Sequence, residues 1–239
     1  MESGEVMSNP RVHVTLRLAT VDDAPALVDL VRIVWPEDSA SLPTIIGALR
    51  APDHATCVAV VADQVVGFCD GFTTVGSDGV RRWEVDLVAV HPDQRGRGLG
   101  VRLIAASSAA GQAHGAACAR GLIALANTPS QRAFQRNGYR ADPIVRELYV
   151  CRTLAGEGPN LPAGAFLTPV HTLIYRGGWI EKRVTEQALW AARASGAARG
   201  WDCVGVLLAA DDDLRSVAAA LGFAQIGAYR WWRRALAAP

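Results

Sequence analysis

The chain has almost no lysine and almost no net charge. Of its 24 basic side chains all but Lys182 are arginine, and 23 acidic ones leave a formal charge of +1. So balanced a chain offers no long-range field to draw nucleic acid or an anionic membrane. The five cysteines, Cys57, Cys69, Cys118, Cys151 and Cys203, form no C-x-x-C pair and no His-flanked cluster. Zinc-site spacing is therefore missing, and reduced, partly buried thiols with no metal are expected. No stretch reaches the roughly 18 apolar residues of a membrane span, and Met1 to Pro10 carries Glu2 and Glu5 without an apolar run. These absences predict a cytoplasmic, soluble protein, monomer or homodimer, with no nucleic-acid or membrane partner.

What is present is apolar substance. Half of the 239 residues are hydrophobic, enough to bury a core without disulfide or metal staples. Val12 to Leu18 alternates as a strand does, and Thr20 with Asp22 and Asp23 suits the start of a helix running to about Val34. A weaker helix from Leu42 to Ala51 stops before Pro52. Thr56 to Ala62 and Val65 to Thr74, separated by Asp63-Gln64, read as a hairpin, and Arg81 to Val90 as a third antiparallel strand. From Gly98 to Ala117 the period is helical. A short buried strand (Leu122 to Ala126), a helix starting at Asn127 and ending at Asn137-Gly138, and a terminal strand (Tyr139 to Val150) follow.

Glycine and proline crowd residues 152–165, the best linker in the chain. Beyond it, strand (His171 to Tyr175), helix (Thr185 to Arg199), strand (Cys203 to Ala209), helix (Leu214 to Leu221) and strand (Ala224 to Arg233) repeat the earlier order. Placing Leu221-Gly222-Phe223 on Asn137-Gly138-Tyr139 brings the copies into register. Residues 11–151 are thus expected to be one domain, and 166–235 a partial, degenerate repeat packed upon it. Trp231-Trp232-Arg233-Arg234 is expected to be core packing with exposed arginines, and Asp211 to Asp213 a helix start.

The chemistry concentrates between Glu84 and Asn127. Gly96, Gly98 and Gly100 alternate in Arg95-Gly96-Arg97-Gly98-Leu99-Gly100, between an apolar strand and a helix. Without Cβ atoms, successive N–H groups there can converge on a pyrophosphate, aided by the helix start. A P-loop would need Gly-Lys-Ser/Thr, which is absent, and a dinucleotide fingerprint G-x-G-x-x-G in a parallel βαβ unit, whereas the upstream strand here reads as part of a meander.

The run Val88-Ala89-Val90-His91-Pro92-Asp93-Gln94-Arg95-Gly96-Arg97-Gly98-Leu99-Gly100 resembles the coenzyme-A motif R/Q-x-x-G-x-G/A of the GCN5-related N-acetyltransferase (GNAT) superfamily. Asn127, ahead of Ala133-Phe134 and Gly138-Tyr139, resembles that family's second signature. The resemblance covers about residues 11 to 151. It implies an α/β chain of the α+β type: a mixed, mostly antiparallel central sheet flanked by helices, with a partial repeat of that architecture at the C-terminus. It also implies acetyl-CoA as co-substrate and a small-molecule or peptide amine as acceptor. Val88, Ala89 and Val90 would offer main-chain groups to the pantetheine arm as an added strand does, and Arg95, Gly96, Arg97, Gly98, Leu99, Gly100 and Asn127 would complete the coenzyme site.

An amine must lose a proton during transfer, so a carboxylate is needed near the reacting carbon. Glu84 stands at the offset from Gly98 at which the histone-acetylating branch of the family carries its base, and Asp86 lies two residues on. Both are expected as catalytic residues, the alternative being pairing with Arg81, Arg82 or other arginines. The tyrosine that many relatives use to protonate the leaving thiolate corresponds to Phe134, which has no proton to give. That departure keeps a non-catalytic acyl-CoA-binding or scaffold module as the rival reading. In that family the first two helices line the acceptor cleft, which would place Trp35, Glu37 and Asp38 near it, where an aromatic wall and two acids would suit a cationic amine, the alternative being a solvated loop. In the repeat, Gly177-Gly178-Trp179-Ile180-Glu181-Lys182-Arg183 takes the register of the glycine loop, and no second donor site is expected.

Overall fold

The computed structural model describes residues 13–37, 40–155 and 158–237. Strand β1 (Thr15–Leu18) leads through a single 3-10 turn into α1 (Ala24–Val34), and α2 (Leu42–Arg50) follows. The entry to α1 is fixed by Asp23, whose carboxylate accepts from both terminal nitrogens of Arg17, at 2.6 and 2.7 Å, and from the Thr20 N–H at 2.8 Å. Val12 and the first domain boundary at residue 11 lie outside the described residues.

A meander of β2 (Cys57–Val61), β3 (Gln64–Val75) and β4 (Arg81–Val90) comes next, then α3 (Leu99–Ala113), β5 (Cys118–Ala124) and α4 (Thr128–Arg136). The stretch expected to be one terminal strand is two: β6 (Arg140–Ala141) and β7 (Arg146–Arg152). Pro143 lies between them, where a missing N–H interrupts pairing. After residues 153–164 come β8 (Ala165–His171), β9 (Arg176–Lys182), α5 (Glu186–Ala198), β10 (Cys203–Leu208), α6 (Leu214–Ala220) and β11 (Ala224–Ala235).

Trp83 shows how tightly β4 is seated. Its indole is fully buried and donates to Ser107 Oγ at 3.0 Å. A Cβ at Gly71 would lie 2.5 Å from this ring and one at Gly111 2.4 Å from it. Two glycines, one on β3 and one on α3, therefore make the slot that holds the largest side chain of the first core.

The described strands join one sheet in the order β1-β2-β3-β4-β5-β11-β7-β10-β9-β8, with β6 beside β11. Among them only β4 with β5 and β9 with β10 pair in parallel. The central order means that the two halves exchange their last strands. Strand β11 pairs with β5 of the first half, while β7 of the first half pairs with β10 of the second. Neither half covers its own sheet edge without the other.

Two local expectations change. The strand expected from His171 to Tyr175 is, beyond His171 at the end of β8, the turn Thr172 to Tyr175 between β8 and β9, closed by the Thr172 N–H donating to the Tyr175 carbonyl at 3.0 Å. Its apolar residues are buried by insertion instead of by sheet pairing: Leu173 is fully covered, in one cluster with Leu27, Val31 and Ile45 of α1 and α2. The segment from Gly177 to Lys182 is strand β9 itself, and only residues 183–185 separate it from α5. Gly177 and Gly178 serve close packing, since a Cβ at Gly178 would lie 2.3 Å from the Trp201 ring.

Candidate functional site

Strands β4 and β5 touch only at their beginnings. Arg82, Trp83 and Glu84 pair with Cys118, Ala119 and Arg120, and no pairing follows. On the other side of β4 the register shifts: Gly71 faces Val85 and Cys69 faces Val88, so Asp86 and Leu87 share a single partner position. This bulge bends β4 away from β5. Gly121 lets the divergence begin cleanly, for a Cβ there would meet the Phe134 ring at 2.6 Å and the Val85 carbonyl at 2.9 Å.

The wedge opens into a cavity of about 540 Å³. Its floor comes from β4 (Val85 to Val88) and β5 (Leu122 to Ala124), and its walls from Asn127 and Phe134 on one side and Trp35 on the other. The remaining wall belongs to the exchanged and C-terminal strands, including Leu148, Val170, Trp179, Cys203 and Tyr229. Sequence reading missed these, because nothing local in β7 or β11 reveals which strand lies beside β5.

The glycine loop stands at one end of β4. Gly96 and Gly98 have φ of +77° and +74°, the left-handed region that glycine enters without strain, and Gly98 immediately precedes α3. A Cβ at Gly96, Gly98 or Gly100 would meet nothing within 4 Å. The space beside them is open, so packing does not explain the three glycines; the left-handed backbone accounts for Gly96 and Gly98. The N–H groups at the start of the 15-residue α3 remain available to an anion.

The other expected coenzyme residues divide. Val88 and Asn127 line the cavity. Asn127 also caps α4, its side-chain oxygen accepting from the Ser130 N–H at 3.2 Å. Arg95 straps the loop to β4, its Nε donating to the Val90 carbonyl at 3.1 Å, so that carbonyl is already engaged. Ala89 turns its side chain to the cluster under α1 and α2, and Leu99 packs into the first core. Arg97 is exposed and makes no hydrogen bond or ion pair with the described residues.

The two carboxylates part company at the bulge. Asp86 lines the cavity. Its side chain is exposed through that open space, while desolvation by the protein around it, then the nearby Asp70 and Glu84 carboxylates, push its carboxyl up to about 7, with His54 acting the opposite way. Glu84 does not reach the cavity. Its oxygens accept from Arg120 Nε at 2.8 and 2.9 Å and from the Thr74 hydroxyl. Arg120 and Arg82 in turn bind Glu181 of β9 at 3.0 and 3.1 Å. A carboxylate so occupied, with 8% of its side chain exposed, is a structural ion-pair partner. For Glu84 the arginine-pairing alternative describes the geometry.

Phe134 lines the cavity and stacks edge-on with Tyr139, their centroids 4.8 Å apart. Tyr139 is core: its hydroxyl is tied to Ser108 at 2.8 Å and burial pushes it up to about 12. Tyr229 on β11, opposite Ala124 of β5, does line the cavity. Its hydroxyl has no hydrogen-bond partner among the described residues, and burial raises its pKa. Of the expected acceptor group, Trp35 lines the cavity, Glu37 does not, and Asp38 lies outside the described residues. Trp232 is buried, while Trp231 carries the Arg120 guanidinium 4.1 Å above its ring.

Residues 24–139 match the family described as Acetyltransferase (GNAT) family. A comparison with curated proteins finds no match. Among solved structures, the chain resembles a tandem GNAT protein from the clavulanic acid biosynthesis pathway, with 16% identity, a TM-score of 0.58 and coverage of 93% of this chain and 98% of that one. A GCN5-related N-acetyltransferase from Sphaerobacter thermophilus gives the same identity and TM-score over 93% and 95%. A GCN5-related glucosamine N-acetyltransferase region of a fungal multi-domain GH3 β-N-acetylglucosaminidase gives 14% identity and a TM-score of 0.62. There the match covers 97% of this chain but only 39% of the fungal one. At these identities the likeness is one of fold, and with the tandem protein it extends over both halves.

Proposed function

We propose that this chain, whose residues 24–139 belong to the GNAT acetyltransferase family, transfers an acetyl group from acetyl-CoA to a primary amine. The observation that carries the proposal is the placing of Asp86, a carboxylate pushed up to about 7, at the point where β4 parts from β5. The residues present fit the coenzyme. The open cradle at Gly96, Gly98 and Gly100 suits its pyrophosphate, and the unpaired edge of β4 from Val85 to Val88 suits its extended arm.

When bound, acetyl-CoA supplies an activated acyl carbon: the amine nitrogen forms the new C–N bond as the C–S bond breaks and its electron pair leaves on sulfur. Asp86 takes the proton that the amine must shed, a role suited to a group titrating near neutrality. Glu84 takes no part in it directly; together with Arg120 it holds β4 and β5 at the point of divergence. Tyr229 Oη, protonated at neutral pH, gives a proton to the sulfur, which Phe134 cannot do. Half of the catalytic pair then comes from each half of the chain.

Phe134 also supports a second reading, an acyl-CoA-binding module without turnover. One experiment separates the two: calorimetric titration with acetyl-CoA beside thiol release across a panel of amines. Amine-dependent release establishes the enzyme. Tight binding without release establishes the module, and absence of binding removes the donor site itself.

A further inference from the structure

Resting on the acetyl-transfer reading, the composition of the cavity wall points, we infer, to the class of the acceptor: a small primary monoamine with an aromatic or alicyclic body, carrying neither a carboxylate nor a second ammonium group. Among the described residues that line the cavity, Asp86 is the only one with a formal charge. No lysine, arginine or histidine among them faces it.

The exclusions follow from the cost of burying unpaired charge. An amino-acid acceptor would bring its carboxylate into a wall without a cation, and a polyamine or aminoglycoside would bring ammonium groups beyond the one that Asp86 can match. A sugar acceptor would strand hydroxyls as well, for apart from Asp86 and the tyrosines the lining offers few polar side chains: Asn127, Ser130 and Cys203. The Asn127 oxygen is already engaged in the α4 cap.

What the wall favours is an apolar body. Trp35, Phe134, Trp179 and Tyr229 surround the space, with Leu148, Val150, Val170 and Ile226 between them. An aromatic or alicyclic group buries its whole surface among them, while the single ammonium group meets Asp86 and the indole faces. The cavity volume of about 540 Å³, part of which the acyl end must share, also limits the body to a compact one. The selecting residues lie mostly on β7 to β11. The degenerate repeat, which lacks a donor site of its own, thus supplies Val170, Trp179, Ile226 and Tyr229 to the acceptor wall.

The test uses the full chain saturated with coenzyme A, with binding read by calorimetry and by the fluorescence of Trp35 and Trp179. The probes are 2-phenylethylamine, phenylalanine, spermidine and kanamycin. The monoamine is expected to bind about tenfold or more tightly than each of the others. Equal or tighter binding of phenylalanine, spermidine or kanamycin overturns the inference and leaves acetyl transfer standing. A protein that binds no coenzyme A overturns the transfer reading instead. Ile226→Glu provides the converse, since Ile226 lines the cavity from an exposed bulge of β11 and is not needed by the core. A second acid there is expected to shift preference by about tenfold toward 1,4-diaminobutane over 2-phenylethylamine. An unchanged ratio overturns the assignment of this wall to the acceptor.

Discussion

The Leu173 N–H donates to Asp70 Oδ2 at 2.9 Å, joining the turn between β8 and β9 to the middle of β3. Asp70 is fully buried and also holds His54 Nε2 and the Thr56 hydroxyl, the latter at 2.9 Å. It stands opposite the bulge that carries Asp86. One carboxylate thus fixes the second half against the first and contributes to the field that raises the Asp86 pKa.

Asp70→Ala removes an acceptor from three buried donors at once. A loss of about 2–4 kcal/mol in unfolding free energy is expected. Denaturant titration checks it, and a loss no larger than that of an exposed Asp→Ala change would show that the junction is held by apolar packing alone.

Asp86→Asn should abolish the acid limb of the pH–rate profile. In the parent protein, activity is expected to climb as pH rises through about 7, because only the carboxylate accepts a proton. The variant should lose about 10²–10⁴-fold in turnover and keep its affinity for acetyl-CoA. Stability moves oppositely. A carboxyl raised in the folded state gives its stabilising share in full below its ordinary pKa and loses it as pH climbs to about 7. The variant should therefore melt higher than the parent at pH 8, with the advantage vanishing near pH 3.

Glu84→Gln separates a base from a structural partner. Because the Glu84 charge helps to raise Asp86, its removal is expected to move the kinetic midpoint below about 7 without erasing the limb. Complete loss of the limb would restore Glu84 as the base. Arg120→Met leaves Glu84 and Glu181 short of their partner and should cost about 3–5 kcal/mol, measurable by thermal or chemical unfolding.

Gly98→Val acts on the loop only. A side chain at φ of +74° costs about 1–2 kcal/mol, yet its Cβ clashes with nothing. The fold should survive while acetyl-CoA binding disappears in calorimetry. Gly111→Ala is the contrast: its Cβ would strike the Trp83 ring, so stability should fall.

Tyr229→Phe is expected to lower kcat by about 10²-fold, with acetyl-CoA affinity unchanged and any alkaline limb of the pH profile flattened. If kcat and the profile are those of the parent, the sulfur obtains its proton elsewhere.

Much of this molecule was legible in the chain. The meander, the Gly96 to Gly100 loop and the start of α4 at Asn127 carry short-range signals: a period of two, alternate glycines, a capping amide. Less legible was the turn at Thr172 to Tyr175, since Leu173 and Ile174 are as apolar as any strand and differ only in what covers them.

By itself, then, the sequence determined that a glycine loop joins an apolar strand to a helix, which residues could serve as acids and bases, and that the second half resembles the first. Tertiary structure decided which carboxylate faces the cavity, because a bulge at Asp86 and an arginine on β5 lie far apart in sequence and act on Glu84 and Asp86 oppositely. It also decided that β11 seats itself beside β5 and carries Tyr229 into the first half's cleft. Strand partnership depends on hydrogen bonds between segments about a hundred residues apart, and a local pattern of apolar residues names a strand without naming its neighbour.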